Sequence, residues 1–231
     1  MTDANHSGPT DVLQQASSVD TYLASALMPA DEVMSAVLQA NRAAELPPID
    51  VSPLQGRLLM VLAKAIRARS VLEVGTLGGY STIWLARGLP QDGHVVTLEA
   101  EPRHAEVARA NVERAGAGDQ VEIRVGAAAQ SLPDLRSSEW APFDLVFVDA
   151  DKANNSVYFD WAVKLCHPGS LIIVDNVVRQ GKVADASSTD PAVVGSRRLF
   201  EALSADDRVD ATAWQSVGAK GWDGMVIAVV R

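Results

Sequence analysis

The stretch Val71-Leu-Glu-Val-Gly-Thr-Leu-Gly-Gly-Tyr-Ser81 decides how the rest of the chain is arranged. Its first four residues predict a short buried strand, and the glycines that follow predict a loop that opens a helix at Tyr80. Together these elements let a ligand approach bare backbone. The spacing is not Gly-x-Gly-x-x-Gly, which weakens a dinucleotide assignment, and the acid Glu73 suits a cationic ligand better than a pyrophosphate. A strand-to-helix turn without a ligand is the alternative.

Composition limits the class of protein. The 231 residues are 48% hydrophobic, enough for one sizeable α/β domain or two small ones. A net charge of −9 argues against nucleic acid and anionic membranes as main partners. The single cysteine, Cys166, excludes an internal disulfide and suits a reducing compartment. No apolar run is long enough for a membrane span and no signal pattern opens the chain, so we expect a cytoplasmic location without a membrane partner.

The N-terminal part is expected to be helical. Residues 1–10 are polar and are expected to be disordered. Helices are predicted over 11–27, from Pro29 to just before Leu46, and from Ser52 to about Arg69. In the first of these helices six residues are spaced to form an apolar face: Val12, Leu13, Val19, Tyr22, Leu23 and Leu27. These helices could cover the mouth of a ligand site.

After the glycine loop, strands and helices alternate. Five strands are predicted, at 71–74, 93–98, 121–125, 143–148 and 171–174. Helices are predicted between or after them, at 80–87, 102–115, 155–165 and 191–203. This alternation is typical of a doubly wound parallel sheet, an α/β fold. The segments 211–217 and 225–230 flank a glycine-rich turn and predict an antiparallel hairpin on one edge.

Acidic residues follow several of the predicted strands, at the edge where doubly wound sheets bind ligands. Glu99 follows the second strand and could accept hydrogen bonds from both hydroxyls of a ribose. Asp149 ends the fourth strand, and Asp175 and Asn176 end the fifth. If those two strands are neighbours, their ends lie about 4.8 Å apart and these side chains converge. A ligand set made only of oxygen atoms suits Mg²⁺, or Ca²⁺ or Mn²⁺, rather than zinc. The alternative is that these acids cap separate elements and bind no metal.

The motifs Val148-Asp-Ala-Asp-Lys152 and Val174-Asp-Asn176 resemble those of the metal-dependent O-methyltransferases of the caffeoyl-CoA and catechol type. This family belongs to the class I S-adenosylmethionine enzymes. The resemblance extends from the helix at Val19 to Asp223-Gly224. It implies a Rossmann-like fold with a mostly parallel seven-stranded sheet, a reversed last strand and N-terminal helices. It also implies one domain over 11–231, with a helical cap at 11–69, a cofactor- and metal-binding core at 70–176, and a substrate loop, helix and hairpin at 177–231.

The resemblance also assigns site residues. Lys152 would be the general base toward the substrate hydroxyl, with Asp149 as a second catalytic residue; a solvated lysine without a role is the alternative. The metal, Mg²⁺ or else Ca²⁺ or Mn²⁺, would be bound by Asp149, Asp175 and Asn176. S-adenosylmethionine would be bound by Val51, Glu73, Gly75, Thr76, Ser81, Glu99, Ala128, Asp149 and Asp151.

The implied substrate is a vicinal dihydroxy aromatic, such as a catechol, phenylpropanoid, flavonoid or related phenolic, and the implied assembly is a homodimer. Two places depart from the plant enzymes. The caffeoyl-CoA enzymes have tryptophan and asparagine at the positions of Arg179 and Gln180, so substrate contacts there cannot be transferred. The turn from Gly218 to Gly224 looks longer than usual, and its Trp222 could line the pocket, form a subunit contact or simply be exposed. An NAD(P)-dependent oxidoreductase and a non-catalytic cofactor-binding scaffold remain the alternatives.

Overall fold

The computed structural model describes residues 9–231. Most of the segment predicted to be disordered therefore lies outside the described residues. Its last two positions, Pro9 and Thr10, are helical, so the first helix begins earlier than predicted. The N-terminal helices are α1 (Pro9–Leu27), α2 (Glu32–Ala43) and α3 (Pro53–Ala65).

Capping residues explain where α2 and α3 begin. Asp31 accepts a hydrogen bond from the Met34 N–H at 3.0 Å, so α2 starts there and not at the predicted Pro29. Ser52 accepts from the Gln55 N–H at 3.2 Å, as its position before a proline predicted. The third helix ends sooner than expected because Arg67 adopts a left-handed backbone conformation, with φ 57°.

The remaining elements alternate as predicted. The strands are β1 (Ser70–Val74), β2 (His94–Glu99), β3 (Val121–Val125), β4 (Phe143–Val148), β5 (Cys166–Asp175), β6 (Val209–Gly218) and β7 (Gly221–Val230). The helices are α4 (Tyr80–Ala86), α5 (Pro102–Arg114), α6 (Ala128–Ser131), α7 (Asn155–Leu165) and α8 (Pro191–Ala205).

All seven strands form one sheet in the order β3-β2-β1-β4-β5-β7-β6. The first five are parallel, and β7 pairs antiparallel with both β5 and β6. This confirms the predicted doubly wound sheet with a reversed last strand. The hairpin prediction was wrong in one detail. Its strands continue to Gly218 and from Gly221, so the connecting turn is only Ala219-Lys220 and is not unusually long.

Apolar side chains cover both faces of the sheet. Successive residues of β4 and β5 alternate between two buried layers, with Val146 and Ile172 in one and Leu145 and Leu171 in the other. Burial on both sides is what a doubly wound sheet requires. The division of residues 11–231 into cap, core and substrate segments concerns function and stays a prediction.

The first helix differs from the others in its exposure. The apolar face predicted for α1 is present, but its six large side chains are 36–69% exposed. The helix is held on the edge hairpin instead, where Asp20 accepts a hydrogen bond from the Ala219 N–H at 2.8 Å. The spacing of the apolar residues along α1 was thus predicted correctly. The burial of these residues depended on which other elements pack against the helix.

Candidate active site

A cavity of about 610 Å³ opens at the carboxyl ends of the central strands. The cavity lies at the point where the strand order reverses. On one side of this point are β1 and its neighbour β2, and on the other side is β4. The segment Ile49-Asp-Val51, between α2 and α3, forms part of its wall. This segment, rather than the helices themselves, borders the cavity mouth.

The glycine loop after β1 needs its first glycine. Gly75 has φ 102°, and a Cβ placed there would lie 2.3 Å from the Asp149 carbonyl oxygen. Only glycine therefore lets the loop pass this close to the end of β4. Gly75 and Thr76 of the loop and Ser81 in the first turn of α4 line the cavity, as do Val51 and Ala128. Their roles toward a cofactor stay predictions.

Glu73 lies beneath the cavity and does not line it. The carboxylate is fully buried and accepts hydrogen bonds from the hydroxyls of Ser81, Thr82 and Thr97. Burial raises the pKa of Glu73 to about 7, although the three hydroxyl donors lower it. Of the residues predicted to bind the cofactor, it alone is separated from the cavity, with Ser81 between them.

Glu99 faces the cavity and also supports the glycine loop. One of its oxygens accepts hydrogen bonds from the backbone N–H groups of Thr76 and Leu77, at 3.1 and 2.7 Å. The other accepts from the Glu101 N–H and lies 3.3 Å from His104 Nδ1. His104 also lines the cavity, and its spacing from other residues had given no signal of this. A ribose hydroxyl would have to share these already occupied oxygens.

Asp50 is a second cavity residue that the sequence did not reveal. Its carboxylate accepts a hydrogen bond from Asn41 Nδ2 at 2.7 Å, and Asn41 Oδ1 in turn accepts from Asn111. Burial is the main cause of the raised pKa of Asp50. The chain of amides ties the wall segment to α2 and α5, so contacts between distant elements determine its position.

The acids of β4 and β5 meet as expected. Val148 and Val174 are paired in register, which places Asp149 and Asp175 side by side on neighbouring strands. Asp149 and Asn176 line the cavity, whereas Asp175 is 4% exposed and lies behind them. Burial, followed by the charge of Asp149, raises the pKa of Asp175 to about 7. Gln55, which no motif marked, donates a hydrogen bond to Asp175 Oδ2 at 2.5 Å.

This oxygen cluster fits a hard divalent cation. It offers two carboxylates and the amide of Asn176, and burial together with the charge of Asp149 raises the pKa of Asp175. Throughout residues 9–231, no three His, Cys, Asp or Glu side chains group as a metal site, so a metal here would depend on the amide oxygen. That donor set excludes a zinc-type site and matches the preference of Mg²⁺.

Lys152 completes this end of the cavity. Its Nζ donates to Asp149 Oδ1 at 2.6 Å, and its side chain is 10% exposed. Neighbouring Asp151 also lines the cavity and accepts hydrogen bonds from the Tyr158 hydroxyl and from Asn154 Nδ2. The amine is thus held in place by the Asp149 carboxylate, and Lys152 faces the cavity.

Trp222 does not line this cavity, so that possibility was wrong. Its ring lies against Gly181, and its Nε1 donates to Gln215 Oε1 at 2.8 Å. Arg179, in contrast, does line the cavity. Cys166 has no part in the site, and burial raises the pKa of its thiol to about 12.

A family model for O-methyltransferases matches residues 24–229. The chain belongs to the O-methyltransferase family. Membership of this family argues against the alternative of an NAD(P)-dependent oxidoreductase. It agrees with the resemblance that the sequence motifs indicated.

Relatives of this O-methyltransferase are similar over almost their whole length. A catechol O-methyltransferase of Mycobacterium tuberculosis is 53% identical, over 92% of this chain and 95% of that protein. A catechol O-methyltransferase of Niastella koreensis is 49% identical, over 93% and 97%. The O-methyltransferase from Bacillus cereus, solved in complex with SAH, has a TM-score of 0.93 and 53% identity, covering 95% of this chain and all of that one. No helix within residues 9–231 of this O-methyltransferase has the length and apolarity to cross a membrane.

Proposed function

We propose that this O-methyltransferase uses S-adenosylmethionine and a divalent metal to methylate one hydroxyl of a vicinal dihydroxy aromatic. The observation that carries the proposal is that the glycine loop, the acid Glu99, the pair Asp149–Lys152 and Asn176 all line one cavity. Similarity to catechol O-methyltransferases supports the substrate class. A bound SAH in the Bacillus cereus relative supports the cofactor, since SAH is what remains after methyl transfer.

Within the cavity the two reactants would lie at different ends. Val51, Gly75, Thr76, Ser81, Glu99 and Ala128 would hold the cofactor, largely through backbone and through the Glu99 carboxylate. Asp149, one of the acids at the ends of β4 and β5, and Asp151 line the same cavity as these residues. Glu73 would act indirectly, through the Ser81 hydroxyl that donates to it at 2.6 Å.

The metal would be bound by Asp149, Asp175 and Asn176, with Gln55 orienting the second carboxylate. When bound, a divalent cation supplies Lewis acidity that lowers the pKa of a hydroxyl group. Two carboxylates and an amide leave about three positions of an octahedral shell open, enough for a bidentate diol.

Lys152 would take or orient the proton of the reacting hydroxyl. In its neutral form the Lys152 amine, held beside Asp149 and facing the cavity, would accept this proton and become an ammonium that still donates to Asp149. In such a site the protein contributes mainly positioning and electrostatics, and no covalent enzyme intermediate is required.

The proposal is tested with a matched pair of substrates, 3,4-dihydroxycinnamate and 4-hydroxycinnamate, in the presence of Mg²⁺. A diol can bind through two oxygens and stay oriented, whereas a monophenol stays free to rotate. We expect kcat/KM to be at least about a hundredfold higher for the diol, since about 3 kcal/mol of orientation corresponds to that factor. Excess chelator should abolish turnover and added Mg²⁺ should restore it. Equal values for the two substrates, or full activity in chelator, would contradict the metal-dependent catechol proposal.

We also propose that the chain forms a homodimer. The exposed apolar face of α1 supports this, because large apolar side chains in a row on one helix are unusual on a monomer surface. The cytoplasmic location stays a prediction.

A further inference from the structure

Arg179 occupies the loop that leaves β5, three residues after the predicted metal ligand Asn176. It lines the same cavity as Asn176 and Lys152, and its side chain is 33% exposed. The chain therefore places a cation on the cavity wall, close in sequence to the predicted metal ligands.

The guanidinium of Arg179 has few partners. Its buried Nε has no hydrogen-bond partner among the described residues. Its Nη1 lies 3.7 Å from Asp223 Oδ2, close enough for an ion pair but too far for a hydrogen bond. A guanidinium has five donors, and leaving them unmet in a partly buried place is unfavourable. The group is therefore available to a ligand that enters the cavity.

Asp223 is engaged mainly by the backbone of the loop. Its Oδ1 accepts hydrogen bonds from the N–H groups of Val178 and Arg179, at 2.9 and 3.0 Å. These bonds hold Arg179 in a left-handed conformation, with φ 54°. Such a conformation is costly for a residue other than glycine and persists only where the surroundings enforce it. The backbone that carries the Arg179 side chain is thus fixed.

Trp222 fixes the other end of the loop. Gly181 has φ 81°, and a Cβ there would lie 2.5 Å from the Trp222 ring, so the ring packs directly on the loop backbone. A binding group that is held in place before the ligand arrives loses less entropy on binding. Trp222 is in this way a positioning residue for the loop rather than a wall of the cavity.

The other basic side chains of the cavity are already near acids. Lys152 Nζ lies 2.6 Å from Asp149, and His104 Nδ1 lies 3.3 Å from Glu99. Among the basic side chains of the described cavity residues, Arg179 lies farthest from its acid, at 3.7 Å, and its Nε has no partner. Planar guanidinium groups match carboxylates, which they bind through two parallel hydrogen bonds.

We propose that Arg179 binds a carboxylate carried by the catechol substrate, so that this O-methyltransferase prefers acidic catechols to neutral ones. This inference rests on the proposed function, because it adds a specificity contact to the same site. The dihydroxy end would occupy the Asp149–Asn176 side of the cavity, and the acidic side arm would reach Arg179. Substrates with side arms of different lengths show which length reaches Arg179.

The test compares acids with their neutral amides, which have nearly the same shape. The pairs are 3,4-dihydroxybenzoate, 3,4-dihydroxyphenylacetate and 3,4-dihydroxycinnamate, each with the corresponding carboxamide. For at least one spacer we expect kcat/KM to favour the acid by about 10- to 100-fold, the range for a hydrogen-bonded ion pair. In Arg179→Met the ratio of kcat/KM for the acid to kcat/KM for the amide should fall to about one. In Arg179→Lys this ratio should lie between the wild-type value and the Arg179→Met value. Arg69→Met removes an exposed arginine outside the cavity and should keep the wild-type ratio.

Three results would overturn the inference. Acid and amide could be turned over equally at every spacer, or Arg179→Met could lower both equally, as a merely structural residue would. Calorimetry of SAH binding could also show a loss of affinity in Arg179→Met as large as the loss in kcat/KM for the acid, which would assign the arginine to the cofactor carboxylate. In each of these cases catechols would still be methylated. If no catechol were methylated, the proposed function itself would fail, and this inference with it.

Discussion

Lys152 is a basic side chain of the cavity that contacts Asp149, one of the predicted metal ligands. It lies 2.6 Å from Asp149 Oδ1 and is almost completely buried, so its position is set by the protein and not by solvent. Burial, and not the ion pair as such, distinguishes Lys152 from a surface lysine. The contrast with Lys164, a half-exposed lysine paired with Asp160 on the surface of α7, shows the difference.

Replacing Lys152 by methionine removes the amine and keeps an unbranched apolar side chain. If the amine accepts the substrate proton, kcat for a catechol should fall by about 10²–10⁴-fold, the usual contribution of a general base. SAH affinity, measured by calorimetry, should change little. Lys164→Met is the matched control and should retain wild-type kcat. A Lys152→Met enzyme with near wild-type kcat at neutral pH would show that proton acceptance does not need this residue.

At the scale of the element, β1 combines structural and functional demands. It is a central strand with β2 and β4 on its two sides, and it carries an acid, Glu73, in a fully buried position. The acid receives three hydroxyl hydrogen bonds from α4 and β2, which hold the helix that follows the glycine loop. Burial nevertheless raises the pKa of Glu73 to about 7, so ionising it inside the sheet opposes folding.

This shift predicts how stability depends on pH. The folded pKa is raised from 4.5 to about 7, so the favourable contribution is complete below pH 4.5 and is lost as the pH rises to about 7. Glu73→Gln cannot ionise, so its stability relative to wild type should increase between pH 5 and pH 8, by about 3 kcal/mol at most. Thermal unfolding without cofactor at both pH values measures this. Glu106→Gln, an exposed change on α5, is the control. If the difference in stability between Glu73→Gln and wild type stayed constant with pH, Glu73 would not ionise in its buried position over this range.

Elements could be predicted from the sequence because their signals are local. The Ser52-Pro53 pair determined where α3 begins, and apolar runs bounded by turn residues determined the strands. The element boundaries that were predicted wrongly depended on single contacts that the local pattern did not reveal. Asp31 moved the start of α2, and the pairing of β6 with β7 shortened the predicted long turn to Ala219-Lys220.

For the whole molecule, the exposed face of α1 is the surface that most needs an explanation. Its six large apolar side chains are 36–69% exposed, and Tyr22, at 69%, is the most exposed of them. A second copy of the same face could cover it, since a two-fold contact brings identical surfaces together. The helix is about 28 Å long, which gives such a contact a substantial length.

We predict that the protein is a dimer in solution and that Val19→Glu with Tyr22→Glu converts it to a monomer. The two acids would place like charges opposite each other in an apolar contact, which is strongly unfavourable. Light scattering after gel filtration gives the mass directly. Gln14→Glu adds a charge to the opposite side of the same helix and should leave the dimer intact. A wild-type monomer, or a double variant that remains dimeric, would argue against this interface.

The sequence by itself determined the order of strands and helices, the glycine loop and the acids that end β4 and β5. These depend on periodicity and on neighbours along the chain, which are visible without any fold. Only the tertiary structure decided that Gln55 donates to Asp175, 120 residues away, and that the six large side chains of the α1 face stay exposed. It also decided that Arg179 Nε has no partner among the described residues while Asp223 binds the loop backbone. Such contacts join segments far apart in the chain, and their partners are set by how the elements pack and not by the residues beside them.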